Sequence, residues 1–369
     1  MKIGIDTFGC GHGQSGIGSY LNSLLRNFRN TEEIQFELFG AEIDRYVFGR
    51  DSNLGFEPVF LPDNRHSEKI WSMFFCNHFA RSRKYDAMLF PSASSLPFFS
   101  ATPSVAVVND IVSGIFEEND FAGRLRIRRG LREVSKVIVP NNFVRKDLER
   151  LGIDKKKIIV VHNGVNHSLF YPRTFFSSES EMIRPFAIRR PYFLYATKIS
   201  SHLKRHVELI KAFEIFKKRS GLPHRLVLAG GEGACSDIVR KTASLSPYAP
   251  DIFITGYLPH ESLPAFYARS DACIFPSEIE GTGLPVLEAM ATGIPVACSK
   301  AGALQEMTGG KAIIFDSSNI EEISFAIEKL ASDAGLRKKM TEEGIVWARR
   351  FDWESTARET IKVLRSVVK

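Results

Sequence analysis

The chain has 369 residues, 44% hydrophobic and 25% charged, an ordinary globular composition with enough apolar material for two domains. Five cysteines, at 10, 76, 235, 273 and 298, form no CxxC pair, which disfavours a disulfide framework or a zinc site and points to a reducing cytosol. The net charge of +7 is uneven: residues 121–157 hold twelve Lys/Arg against four Asp/Glu, a surplus of +8, so the remainder is close to neutral.

The opening MKIGIDTFG reads as a strand, without the apolar core of a signal peptide. No run approaches the ~18 apolar residues of a membrane span. The runs KIGID, IQFELFG, DAMLF, SVAVVND, KVIVP and KIIVVH then alternate with helix-period segments such as SYLNSLLRNF and NFVRKDLERL. Near-continuous apolar strands between helices predict a parallel sheet covered on both faces. Residues 121–140 are predicted helical up to Ser135, with Ile127, Leu131 and Val134 on one face and Arg124, Arg126, Arg128, Arg129 and Arg132 largely elsewhere. That basic face reads either as solvated surface or as attraction to anionic lipid or a diphosphate-linked acceptor.

Residues 1–170 thus form a first domain, and 171–191, with three prolines and no period, a linker. In 192–350 the alternation restarts with YFLYAT, KRHVELIKAFEIFKKR, RLVLAG, DIFITG, DACIFP, IPVAC and KAIIF. Residues 351–369 read as a closing helix that can cross back to the first domain. The fold class is α/β, two Rossmann-like doubly wound parallel sheets facing across a cleft, since such sheets bind ligands beyond the carboxyl ends of their strands.

The segment SEIEGTGLPVLEAMATGIPVA, 277–297, carries the densest chemistry. ACIFP is a buried strand ended by Pro276, and a helix is predicted from Gly283 or Leu284, with Pro285 in its first turn. Glu280 then lies in a loop at the carboxyl end of a strand. The backbone N–H groups of Gly281, Thr282, Gly283 and Leu284 make an anion seat, because glycine admits close approach and a helix N-terminus favours negative charge. Glu288 falls on the second turn among Leu284, Leu287, Ala289 and Met290. A solvent-facing glutamate is one reading. The other is a carboxylate accepting from two vicinal hydroxyls, since a buried unpaired carboxylate costs several kcal/mol.

The pair Glu280 and Glu288, followed by AMATGIPV, resembles the E-x7-E signature of retaining GT-B glycosyltransferases of family 4 (group 1). SGIGSYLNSLL, VVHNGVNHSLF, YATKISSHLKRHVELIKAF and ITGYLPHESLPAFYARSDACIFPS are similar to the same family in the same order. The resemblance implies that Glu280 contacts the donor sugar, Glu288 the nucleotide ribose and the backbone after Glu280 the diphosphate. It implies Lys204, read as opening the helix KRHVELIKAF, on the diphosphate too. The usual partner arginine is replaced by Lys198, a point charge and not a bidentate fork, and Arg205 is a candidate to share the task. Gly256, Tyr257 and Leu258 match the base-binding segment, although a plain hydrophobic loop fits Tyr257 as well. In the first domain, Gly16 and the CGHGQS loop match the segment that reaches the diphosphate and acceptor, with His12 either a site residue or a bystander. Many relatives carry His-Asp where this chain has Asn109 and Asp110. The aspartate carries over. The asparagine offers hydrogen bonds but no proton transfer.

The resemblance implies transfer of a hexose, leaning to mannose from GDP-mannose, to a saccharide or lipid-linked saccharide. It implies a same-face route in which a phosphate oxygen takes the acceptor's proton, with no cofactor and no metal. The expected setting is cytoplasmic, at the inner face of a membrane through peripheral anionic contact, with no nucleic-acid partner. Two alternatives stand: a nucleotide-sugar epimerase of the same fold, and a non-catalytic lipid- or nucleic-acid-binding protein on this scaffold.

Overall fold

The computed structural model describes residues 1–49, 54–62, 64–117, 119–173, 182–183, 186 and 188–368. They divide into two compact units, Met1–Gly164 with Trp353–Lys369, and Val165–Asp352. Much of the expected linker, 174–181 with 184, 185 and 187, lies outside the described residues.

The first unit is built on a parallel sheet of β1 (Lys2–Asp6), β2 (Gln35–Gly40), β3 (Gly55–Pro58), β4 (Ala87–Phe90), β5 (Ser104–Val107), β6 (Lys136–Val139) and β7 (Ile158–Val160), in the order β3-β2-β1-β4-β5-β6-β7. β1 pairs with β2 from Lys2↔Gln35 and with β4 from Ile3↔Ala87. Successive strand residues serve opposite faces. Met88, Phe90, Ala106, Val137 and Val139 join the core containing Trp71, while Leu89, Val105, Val107 and Ile138 join the one containing Leu21 and Leu24. Strands buried on both faces account for their unbroken apolar runs.

The Trp353–Val367 helix completes the second of those cores with Ala357, Val363 and Leu364. Trp353 packs edge-on to Tyr20 with ring centroids 5.6 Å apart, and Thr356 donates to the His162 carbonyl at 2.8 Å.

The basic segment forms the helix Phe121–Glu133, and one arginine departs from expectation. Arg126 is buried, donating to the Leu96 carbonyl at 2.8 Å, to the Ser94 carbonyl and to Ser72 Oγ. Its guanidinium satisfies carbonyls of the turn after β4, a use that helical periodicity does not register.

In the second unit β8 (Met182–Ile183) and β9 (Ile188–Arg189) form a small antiparallel pair. The main sheet is parallel: β10 (Tyr192–Ala196), β11 (Arg225–Ala229), β12 (Ile252–Gly256), β13 (Ala272–Phe275), β14 (Val296–Ser299) and β15 (Ile313–Phe315), in the order β12-β11-β10-β13-β14-β15. β3 and the β8–β9 pair have no counterpart among the strand-like runs of the sequence. Among the described residues no helix is long and apolar enough to cross a membrane.

Candidate active site

In the second unit the strand order turns over between β10 and β13, so the loops leaving their carboxyl ends diverge and open a crevice. The loop after β10 runs on beside the loop after β11: Thr197 N–H donates to the Ala229 carbonyl at 2.8 Å and Ile199 N–H to Gly231 at 3.0 Å. A Cβ on Gly230 would lie 2.0 Å from the Thr197 carbonyl oxygen, and one on Gly233 2.6 Å from that of Ile199. The glycines of AGGEG are therefore required for this approach, and the sequence reading passed over them. Lys198 sits on the loop, exposed, with no side-chain partner among the described residues.

Lys204 lies in a 3₁₀ turn, His202–Lys204, started by Ser201, whose hydroxyl accepts from Leu203 N–H. It does not open the following helix. Arg205 intervenes in a left-handed conformation (φ 55), and the helix runs His206–Ser220. The turn presents the ammonium toward the loop after β13, where it meets Glu280 Oε2 at 2.8 Å and the Ile279 carbonyl at 3.4 Å. The two side chains are only 22% and 17% exposed.

Both loops are pinned from below. The Tyr195 hydroxyl, on β10, donates to the Lys204 carbonyl at 2.8 Å and lies 2.7 Å from Ser277 Oγ. Glu278 N–H donates to the Leu203 carbonyl at 2.8 Å. Glu280 is held from its other side, its carbonyl accepting from Ala303 N–H at 2.9 Å. Arg205 spans the same loops, bonding Glu208 at 2.8 Å and the Glu278 carboxylate. Those two carboxylates hold its pKa above the usual guanidinium value.

The helix Leu284–Ala291 starts beside this pair, with Gly283 (φ +68) before it and Pro285 in its first turn. First-turn N–H groups have no partner inside a helix and carry its positive dipole end. Glu288 follows on the second turn, 12% exposed. Burial pushes its carboxyl up to about 7, opposed by the facing Tyr267 hydroxyl. His260 Nε2 lies 3.9 Å from Glu288 Oε1. That imidazole has its own pKa lowered by burial, and it packs edge-on against Phe170. Glu288 is thus a carboxylate poorly supplied with donors, the environment that vicinal hydroxyls of a ligand would complete.

β12 ends at Gly256 (φ +73), followed by exposed Tyr257 and half-buried Leu258. The Tyr257 ring comes within 3.9 Å of where a Gly231 Cβ would stand, so an aromatic surface flanks the same glycine turn.

Residues 179–347 match the family profile of glycosyl transferases group 1, and residues 15–169 that of glycosyltransferase family 4. The chain belongs to the group 1 glycosyltransferases, family 4. It is 31% identical over 157 residues to the O-antigen chain mannosyltransferase B of Escherichia coli, covering 42% of this chain and 41% of that one. It is 28% identical over 225 residues to the D-inositol 3-phosphate glycosyltransferase of Corynebacterium urealyticum, covering 58% and 52%. The chain spans about half the length of these curated relatives. Among solved structures, Anabaena HepE in complex with UDP and glucose superposes with a TM-score of 0.76 at 17% identity, covering 99% of this chain and 100% of that one. Sucrose-phosphate synthase from Thermosynechococcus elongatus gives 0.75 at 16%, covering 99% and 98%. The fold of this glycosyltransferase-family chain is accordingly GT-B.

The remaining candidates of this family-4 chain lie on its first unit. Ser15 caps the helix Gly16–Leu25 by accepting from Gly18 N–H, and Gly16 is exposed with open space beyond its Cα. Asn109 accepts from Asn163 Nδ2 at 3.2 Å, and its own buried Nδ2 has no hydrogen-bond partner among the described residues. Asp110 is exposed and caps Ile111 N–H at 2.7 Å. His12 is bound at Nδ1 by Asp44 at 2.8 Å. Sequence reasoning missed Asp44, Tyr195, Glu278 and His260. Their partners are 9 to 82 positions away in the chain, and only the folded strand order reveals the pairing. The glycine run AGGEG, also passed over, did leave a local signal.

Proposed function

We propose that this chain is a retaining hexosyltransferase that moves mannose from GDP-mannose to a saccharide or lipid-linked saccharide. The observation that carries the reading is the half-buried Lys204–Glu280 pair at the switch point of the second sheet, beside the helix tip at Leu284. On donor binding the diphosphate takes Lys204, with Lys198 and the first-turn N–H groups adding positive charge. Glu280, released from the lysine, accepts from sugar hydroxyls. Glu288 accepts from the ribose, and Gly256, Tyr257 and Leu258 flank the base. Preorganised charge of this kind stabilises the departing diphosphate without reorganisation. Lysines and helix dipole supply that charge, so the proposal calls for no metal. With the acceptor attacking from the face the diphosphate leaves, a phosphate oxygen takes the acceptor's proton. Mannose is favoured by two relatives, the O-antigen chain mannosyltransferase B and the serotype-specific mannosyltransferase WbdA of E. coli, the latter 29% identical over 125 residues, 34% of this chain and 15% of that one.

A lipid-linked acceptor is supported by the surface of the first unit. The Arg65–Ile70 helix is joined to Phe121–Glu133 by Lys69–Asp120 at 3.9 Å, and Ser72 just beyond it by the Arg126 contact at 3.3 Å. Ile70, Phe74, Phe121 and Leu125 on these two segments are more than half exposed, next to Arg124, Arg128 and Arg129. Apolar side chains rimmed by arginine suit the headgroup region of an anionic membrane. We place the chain at the cytoplasmic face. The deciding experiment is a scan of GDP-mannose, UDP-glucose, UDP-galactose and UDP-GlcNAc for donor turnover. GDP-mannose is expected to lead, and turnover of a UDP-sugar alone overturns the donor assignment.

A further inference from the structure

Two ion pairs join the loop after β10 to the loop after β13. Lys204 meets Glu280, and the next residue, Arg205, meets Glu278. The proposed function uses only the first pair. The guanidinium of the second is already engaged, donating to Glu208 Oε1 at 2.8 Å and to the Glu278 carboxylate. Glu278 also donates its backbone N–H to the Leu203 carbonyl at 2.8 Å. One residue of the β13 loop therefore grips both chain neighbours of Lys204, Leu203 through the main chain and Arg205 through the carboxylate. The Lys204 carbonyl is fixed in turn by the Tyr195 hydroxyl at 2.8 Å.

Backbone and charge both point to a purpose for this grip. Arg205 is left-handed (φ 55), a conformation that costs a non-glycine residue and that glycine adopts freely. Its side chain, not the turn, accounts for an arginine there. Glu208 and Glu278 set two negative charges against the one of Arg205, next to the lysine proposed to receive a diphosphate. A carboxylate in that place opposes anion binding unless its contacts outweigh the repulsion.

We infer that Glu278 is a positioning residue for the donor, holding Leu203 and Arg205 so that the Lys204 ammonium stands where the diphosphate departs. The inference rests on the reading of the chain as a sugar transferase. It assigns Arg205 to Glu278 and not to the diphosphate. An ammonium is a point charge on a flexible stem, so its placement depends on the backbone that carries it. A displacement of about 1 Å is enough to forfeit much of the effect of a catalytic group.

The test is calorimetric titration of the full chain with GDP, with GDP-mannose turnover and thermal melting in parallel. Glu278→Gln removes a negative charge, so electrostatics alone would tighten GDP. The expected result is the reverse, a GDP Kd raised about tenfold and kcat/KM lowered by at least as much. The melting midpoint should move by less than about 2 °C, because Glu278 is 40% exposed and such ion pairs add little to stability. Arg205→Gly, which also relieves the left-handed backbone, should match the loss of GDP affinity. The double variant should stay within about twofold of either single one, since both remove the same contact. Tighter GDP binding in Glu278→Gln, or losses that multiply in the double variant, overturns the inference. So does a loss of GDP affinity accompanied by a melting midpoint lowered by more than about 5 °C, which would make the role of Glu278 structural. If the wild type binds no GDP and turns over no donor, the transferase reading fails. Hydrogen exchange at the Glu278 amide, protected in wild type and faster in Arg205→Gly, then still decides whether Glu278 and Arg205 clasp the loops.

Discussion

Glu288 is the residue whose chemistry is most exposed to test. Its pKa in the fold, about 7, stands above the 4.5 of an unhindered glutamate. A raised folded pKa means that the native state binds the proton more tightly. The stabilisation is full below the unfolded value and is lost as pH rises from there through about 7. Glu288→Gln should therefore gain stability relative to wild type between pH 5 and pH 8, by at most about 3 kcal/mol, read from urea midpoints at each pH. If ribose hydroxyls donate to it, GDP binding must favour the ionised form and release a proton near pH 6.5. Calorimetry in buffers of different ionisation enthalpy would detect that release, and its absence removes Glu288 from the nucleotide site. Lys204→Ala should lower GDP-mannose turnover by about 10²–10³-fold, the range for losing one preorganised donor to a developing charge. Glu280→Gln keeps the shape of Glu280 but not its charge, and unchanged transfer in that variant would remove the sugar-contact role. These three residues were legible in the sequence because two carboxylates eight positions apart and a lysine before a helix are local patterns. Glu278 was not, because its partner Arg205 is 73 residues away and meets it only through the strand order.

At the scale of elements, the site depends on how two loops are locked together. Gly302 (φ +64) would carry a Cβ 2.7 Å from the Glu280 carbonyl oxygen and 2.8 Å from its nitrogen. Gly302→Ala must therefore move the loop or strain it. We expect a loss of about 1–2 kcal/mol in thermal unfolding from the left-handed backbone alone, and a raised GDP-mannose KM as Glu280 shifts. An unchanged KM with lowered stability would show that the loop has a structural role only. The sequence located the strands that are buried on both faces, because apolar runs this short, rich in β-branched and aromatic residues, suit a buried strand better than a helix. It passed over β3, whose GFEP stretch is half-exposed at a sheet edge and has no apolar run to announce it. It also placed Lys204 at the start of a helix, where the structure has a 3₁₀ turn and a left-handed Arg205. Arg205 is held in that conformation by Glu208 and Glu278, and only one of those two is local in sequence.

For the whole molecule, the charge surplus of 121–157 and the exposed Phe121 and Leu125 combine on the first unit. Flotation with vesicles of phosphatidylcholine and phosphatidylglycerol should carry the chain upward at low salt and release it at high salt, since headgroup attraction is screened within about a Debye length. Replacing both Phe121 and Leu125 with serine should weaken flotation on the anionic vesicles. Equal recovery with and without phosphatidylglycerol argues against the anionic membrane contact. The order of elements along the chain has a further consequence. The first unit is left at Gly164, the second is built, and the thread then returns at Trp353 to seal the core around Tyr20 and Leu21. During synthesis the second unit can therefore mature on the ribosome while the first still shows an apolar groove to chaperones, closed only when the final helix emerges from the exit tunnel.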